Sequence, residues 1–464
     1  MPLPDLIEIV PLEKPVHAEI TVPGSKSITN RALILAALAE GEVTLEGALW
    51  SEDTQIMVEC LQELGFMVDV RPDPNEDCNR TITVYGKGGT IPPGGTEQQP
   101  MELFVGNAGT AARFLAAFVC LGKGVYRLHG VPRMHERPQA ALFKALRELG
   151  YRVESEQGDD KLPAKIWGEA ERGSVSRSNV AETGDSEISH TPLANDVAAG
   201  HRPALRRSCQ VSIAQSSQFA SALLLCAKQG GWNVEIVGEN AEESPYVAMT
   251  SRLIEVFPNR GGKYFVEPDA SSGSYFWAAG WLLHRPRSSL ASPIFVHLWP
   301  RTAKYQIDVQ FTNWWPLRGE ISRQNDLGDS IMTAIVLAPC EAEPIRFTDL
   351  GRLRVQECER VVALRTELTK CGAKVVEEGD TLTVYPSRLH GAEIETYNDH
   401  RMAMCFAILG LKVPGIKLKN PACVKKTFPN FFQKLAALPP KGLGATILDA
   451  KTGKRLTHEE LFAD

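Results

Sequence analysis

The chain has 464 residues, 43% of them hydrophobic, too long for one ordinary core and apolar enough to build two. Its formal charge is −6 and no Lys/Arg block runs through it, which argues against a partner such as nucleic acid or an anionic membrane surface. The ten cysteines are scattered without CxxC pairs or a His cluster at ligand spacing, so they read as small buried hydrophobes in a reducing compartment, with no metal site.

The N-terminal MPLPDLIEIVPLEKP has no basic stretch followed by an apolar core, and no apolar run approaches the ~18 residues of a membrane span; a cytoplasmic protein is expected. Next comes PGSKSITNRALILAALAEG, where Ala32, Leu35, Ala36 and Ala39 fall at helical spacing before Gly41, making Ser25 to Arg31 a helix entrance. Five more openings of this kind follow, each with small or polar residues ahead of an apolar helix. They are GNAGTAARFLAAFVCLG from Gly106, QSSQFASALLLCA from Gln215, DASSGSYFWAAG from Asp269, DLGDSIMTAIVLA from Asp326 and NDHRMAMCFAILG from Asn398.

A second pattern is interleaved: an amphipathic helix ending at Gly, then strand, turn and strand. Its copies are LQELGFMVDV at Leu61 to Val70, LRELGYRVES at Leu146 to Ser155, and LTKCGAKVVEEGDTLTVYP at Leu368 to Pro386. In the third, Glu378, Gly379 and Asp380 form the turn of a hairpin. The openings recur at roughly sixty-residue intervals, which predicts a small α/β unit repeated about six times, three per domain. Two stretches break the rhythm: the polar, patternless segment 174–208, read as a surface insertion, and the Trp- and Pro-rich stretch from His284 to Glu320.

A helix N-terminus offers unpaired N–H groups and a partial positive charge, so it attracts anions. Several openings add a cation there: Lys26 and Arg31, Arg113, and His400 with Arg401. Singly, each is an ordinary cap. Together they predict an electropositive pocket for a small, multiply charged anion. PRMHERP adds a cationic loop between two prolines, and KKTFP adds Lys425 and Lys426. LRVQECER places Glu357 and Arg360 three apart, which on its own reads as a solvated ion-pair face.

In the same order along the chain, PGSKSITNRAL, LFVGNAGTAARFL, GVPRMHERP, SSQF, SPY, EPDASSGSYF, GDSIMT, YNDHRMAM and KTFP resemble the motifs of the 5-enolpyruvylshikimate-3-phosphate synthase family of enolpyruvyl transferases. The resemblance spans about Pro23 to Leu435. It implies a two-domain inside-out α/β barrel, each domain of three βαβαββ repeats, with helix N-termini facing the interdomain cleft. The first domain would cover 23–267, with the insertion, and the second 1–22 plus 268–464. The implied reaction transfers the enolpyruvyl group of phosphoenolpyruvate to the 5-hydroxyl of shikimate 3-phosphate, with no cofactor or metal; a monomer is expected.

By motif position the resemblance assigns Lys26, Ser27, Arg31, Ser216, Ser217, Gln218 and Tyr246 to shikimate 3-phosphate, and Lys26, Asn107, Gly109, Arg137, Gln218, Arg360, Arg401 and Lys426 to phosphoenolpyruvate. Asp329 would be the base at the 5-hydroxyl, Glu357 the proton donor to C3 and Lys26 a third catalytic group beside both ligands, with Asp329, Arg352 and Gln356 also bordering shikimate 3-phosphate. Family members usually carry Lys just before that Glu and Asn four residues earlier, where this chain has Gln356 and Arg352. Either Arg352 restores the missing charge, or the first substrate binds differently. Upstream of Tyr246 the expected Ser is Glu243, with Ser244 shifted by one. Phe114 replaces a Pro common in bacterial members, so an altered fit of phosphoenolpyruvate mimics such as glyphosate is expected there. Two alternatives stand beside this reading. One is a UDP-N-acetylglucosamine enolpyruvyl transferase, disfavoured by Ser27 after Lys26 and by the absence of Cys from PRMHERP; the other is a non-catalytic ligand-binding paralogue.

Overall fold

The computed structural model describes residues 3–14, 16–169, 207–238, 245–284 and 293–463. Residues 174–206 of the expected insertion, and Glu243 and Ser244, lie outside the described residues.

All six openings start helices: α1 (Lys26–Leu38), α2 (Gly109–Phe118), α3 (Ser217–Gly230), α4 (Ala270–His284), α5 (Ile331–Leu337) and α6 (His400–Gly410). Their Ala, Leu, Ile and Met residues face every direction, and a helix apolar all round has to sit inside. Every residue of α2 and α5 is buried, as are ten of the eleven in α6. Helices α1, α2 and α3 pack on one another, and α4, α5 and α6 do the same.

The sheets form the outer layer, and none of them closes on itself. In one, Met101–Phe104, Gly124–His129, Ala164–Gly168 and Val153–Ser155 are neighbours in that order, the first pair parallel and the others antiparallel. The sheet of Glu320–Ser322, Ile345–Thr348, Thr381–Val384 and Val375–Glu378 repeats that arrangement. In each, a buried helix (α2 or α5) links the parallel pair, and an amphipathic helix ending before Gly150 or Gly372 leads into the hairpin. This is the βαβαββ unit. Gly65, Gly150 and Gly372 all take positive φ (83°, 86° and 89°), as the three helix ends required.

Buried apolar side chains divide into two clusters. One is drawn from Ile28 to Val266 with Tyr305 added, the other from Leu3 to Val22 and Tyr275 to Ala463. The backbone passes between them at two places that lie side by side: Ser25 N donates to Glu267 O and Asp269 N donates to Pro23 O, both at 2.8 Å. The Trp-rich stretch finishes the second core, where Trp281 stacks between Phe311 and Trp315 at centroid distances of 4.9 and 4.7 Å.

Candidate active site

All six inner helices begin at one cleft between the two cores, enclosing about 1350 Å³ with its open mouth included. Lys26, Ser27 and Arg31 enter from α1, Gly109 from α2, Ser216 to Gln218 from α3, Asp329 from the turn before α5, and His400 and Arg401 from α6. Arg137, Tyr246, Arg352, Gln356, Glu357, Arg360 and Lys426 complete the wall. Nine Lys and Arg side chains line it against five carboxylates, in a chain whose overall charge is negative. The excess of cations belongs to the cleft.

Of the expected site residues only Asn107 is missing from the lining; its carbonyl accepts from Arg137 Nη1 at 3.1 Å and so braces that guanidinium. The PRMHERP segment differs from the expected loop. Pro132–Glu136 is a single helical turn started by Pro, Arg133 and Glu136 pair with each other outside, and of the segment's charged side chains Arg137 alone lines the cleft. Phe114 does not line the cleft either. It is fully buried beneath Arg31, whose guanidinium lies 5.2 Å from its ring centroid.

The LRVQECER segment contains both an ion-pair face and a site. Arg354 points outward and pairs with Glu359, Glu377 and Asp380. Arg360, with 1% of its side chain exposed, holds Glu357 at 2.8 Å on one side and Asp399 at 2.7 Å on the other. Lys426 approaches Glu357 at 3.3 Å. Burial would push the Glu357 carboxyl up, but Arg360, Lys426 and Arg137 outweigh it and hold the group well below the usual carboxylate range.

Asp329 is held in the same way. Arg323 donates to it at 2.6 Å and Arg401 sits 3.3 Å away. Burial opposes its charge, yet Arg401, Arg323 and Arg360 keep it ionised. His400 is neutral, since burial and then the nearby Lys26 push its pKa down; neither of its ring nitrogens has a hydrogen-bond partner among the described residues. On the first-domain side, Lys26 Nζ contacts Asp53 Oδ2 at 3.0 Å. Gln218 is fixed between Arg113, which donates to its Oε1 at 2.6 Å, and Thr110, which accepts from its Nε2 at 3.1 Å. Arg31 donates to Thr250, Ser221 and the Ser27 carbonyl, which leaves part of its fork for a ligand.

Asp53, Asp308, Arg323 and Thr110 belong to the wall but were not singled out as ligands in the sequence. Only Thr110 sits inside a recognised motif. The other three reach the cleft through tertiary placement alone.

This architecture, two α/β halves offering helix N-termini to a shared cationic cleft, is the enolpyruvyl transferase fold. The enolpyruvyl transferase NikO from Streptomyces tendae shares it with a TM-score of 0.63 at 15% identity, covering 98% of this chain and 100% of that one. A solved EPSP synthase from Acinetobacter baumannii shares it with a TM-score of 0.61 at 19% identity, covering 95% and 99%. In sequence, the 3-phosphoshikimate 1-carboxyvinyltransferase of Trichormus variabilis is 36% identical over 466 residues, covering 93% of this chain and 98% of its own length. The profile of the EPSP synthase (3-phosphoshikimate 1-carboxyvinyltransferase) family matches residues 10–182 and 301–435, and the chain belongs to that family.

Proposed function

We propose that this protein joins phosphoenolpyruvate to shikimate 3-phosphate, forming 5-enolpyruvylshikimate 3-phosphate and phosphate, within aromatic amino-acid biosynthesis. The observation that carries this is the meeting of six helix N-termini, Lys26, Asp329, Glu357 and Arg401 in one cleft, in a member of this family. Among the described residues no helix is long and apolar enough to cross a membrane, and no disulfide joins any two of the ten cysteines. Both features fit the reading of a monomeric cytoplasmic enzyme. The separation of the buried clusters supports domains at 23–267 and at 1–22 plus 268–464.

In this reading Ser216, Ser217, Gln218, Arg31, Tyr246, Arg352 and Gln356 border shikimate 3-phosphate. Gly109, Arg137, Arg360, Arg401 and Lys426 surround phosphoenolpyruvate, and Lys26 lies between the two. Asp329 takes the proton of the 5-hydroxyl as its oxygen bonds to C2 of phosphoenolpyruvate. Glu357 delivers a proton to C3. The adduct then returns a C3 proton and breaks the C2–O bond to phosphate. Fixed cations favour both steps because charge moves onto phosphate as it departs.

Both carboxylates are strongly ionised in the free cleft, which leaves Asp329 a weak base and Glu357 without a proton to give. Bound anions change that. Each phosphate or carboxylate drawn against Arg360, Lys426 and Arg401 cancels charge that stabilised Glu357 and Asp329, and a close charge pair is worth about 4 kcal/mol at an effective dielectric near 20. Their pKa values therefore rise as each substrate binds and most when both are in place, so proton transfer is favoured in the ternary complex. The test is phosphate release from phosphoenolpyruvate with and without shikimate 3-phosphate. Release that requires both supports the proposal. No release, with tight binding retained, favours a ligand-binding paralogue, and release with UDP-N-acetylglucosamine instead identifies the other transferase.

A further inference from the structure

Arg323 comes from a segment that no motif marks. It opens the turn Arg323–Leu327, immediately before Gly328 and Asp329, and lines the cleft with 7% of its side chain exposed. One terminal nitrogen, Nη2, holds Asp329 Oδ1 at 2.6 Å. Its Nε is buried with no hydrogen-bond partner among the described residues. A buried guanidinium N–H without an acceptor is costly, so Arg323 is held in this place against a penalty.

Arg352 is its neighbour. Burial first, and then the charge of Arg323, lower the Arg352 pKa. Arg352 Nη2 donates to the carbonyl of Ile213 at 2.6 Å, which ties it to the segment leading into Ser216 and the N-terminus of α3. Gln356 supplies no charge and is turned to Arg360, whose Nη1 donates to its Oε1. Two guanidinia thus line the same cleft, near enough for the charge of Arg323 to act on Arg352, and the Asp329 carboxylate is shared between Arg323 and Arg401. A dianion bridging them would relieve their repulsion, and a phosphate monoester has oxygens enough to reach the Ser216 and Ser217 end of α3 as well.

We infer that Arg323, acting with Arg352, binds the phosphate of the acceptor substrate against the start of α3 and so replaces the cation that position 356 lacks, while its other arm fixes Asp329. The inference rests on the acceptor proposed above being a phosphorylated alcohol.

The experiment measures equilibrium binding of shikimate 3-phosphate and of phosphoenolpyruvate to the full chain, as wild type, Arg323→Gln and Arg323→Lys, with thermal melts to establish folding. The expected result is a roughly 10- to 100-fold loss of shikimate 3-phosphate affinity in Arg323→Gln, partial recovery in Arg323→Lys, and phosphoenolpyruvate affinity within about threefold of wild type. Unchanged shikimate 3-phosphate affinity in folded Arg323→Gln, or an equal loss for both ligands, overturns the inference. Should wild type fail to bind shikimate 3-phosphate, the reading of the acceptor falls, and the subsite is then probed with inorganic phosphate under saturating phosphoenolpyruvate. Phosphate binding that weakens in Arg323→Gln sustains the Arg323 site, and binding indifferent to the substitution, or absent in wild type, removes it.

Discussion

Gly109 shows how closely the wall of the cleft is packed at single residues. A Cβ on it would lie 2.6 Å from Arg137 Nη2, a distance that real Cβ atoms do not tolerate, so Gly109→Ala must displace that guanidinium. We expect the KM for phosphoenolpyruvate to rise about tenfold, with shikimate 3-phosphate affinity nearly unchanged, as measured by steady-state kinetics with each substrate varied. Positions 352 and 356 form a second residue-scale test. Arg352→Asn should lower kcat/KM for shikimate 3-phosphate by about 10- to 100-fold, because it removes a charged donor. Gln356→Lys alone should also reduce it, since a cation would then stand against Arg360, whereas the double variant should recover part of the loss from Arg352→Asn. An unchanged kcat/KM in Arg352→Asn rules out its compensating role. Lys26, Asp329 and Arg401 were legible because their neighbours in sequence are also their neighbours in the site. Arg323 and Asp53 were not, because a lone charged residue outside a motif looks like any surface charge until the chain has folded.

Among elements, the turn entering α5 constrains the site most. Gly328 has φ 55°, and a Cβ there would meet Ile307 Cγ2 at 2.6 Å and Asp308 Oδ2 at 2.9 Å. Gly328→Ala should cost at least about 1–2 kcal/mol in stability from the left-handed backbone alone. It should also lower kcat more than it weakens phosphoenolpyruvate binding, because Asp329 is the next residue. Denaturant unfolding and initial rates measure the two effects. The six inner helices were readable from sequence because small or polar residues precede apolar runs, and an all-round apolar helix leaves only the interior as its place. The stretch from His284 to Glu320 was opaque for the opposite reason. Across its described residues 293–320, the chain is held by the stacking of Phe311 and Trp315 on Trp281, which carries no sequence period. The helical turn Pro132–Glu136 was too short for any periodicity to reveal.

At the scale of the molecule, the cationic cleft also holds one carboxyl that works against folding. Asp308 is fully enclosed, accepts from Ser330 N at 2.6 Å, and is pushed up to about 6 by burial and then by the charge of Asp329. Its folded-state pKa exceeds its unfolded value of 3.8, so the native protein binds the extra proton between the two. This contribution to stability is fully present below the unfolded value and is lost as pH rises through about 6. Asp308→Asn keeps an acceptor for Ser330 and removes the charge. It should stabilise the protein at pH 7.5 by up to about 2–3 kcal/mol, with little gain near pH 4, in denaturant titrations at both pH values. Stabilisation of equal size at both pH values would show that the charge is not responsible.

The paired crossings of the backbone, Pro23–Ser25 beside Glu267–Asp269, run directly into α1 and α4. Both crossings are therefore continuous in backbone with residues of the cleft wall, Lys26 and Ser27 on one side and Ser271 and Ser272 on the other. Any rotation of one core against the other about these crossings would swing these side chains by leverage from their own peptide backbone, without a relay of packed residues. An anion held at both helix starts would then act on the joint itself, like a hand closing on the pin of a hinge.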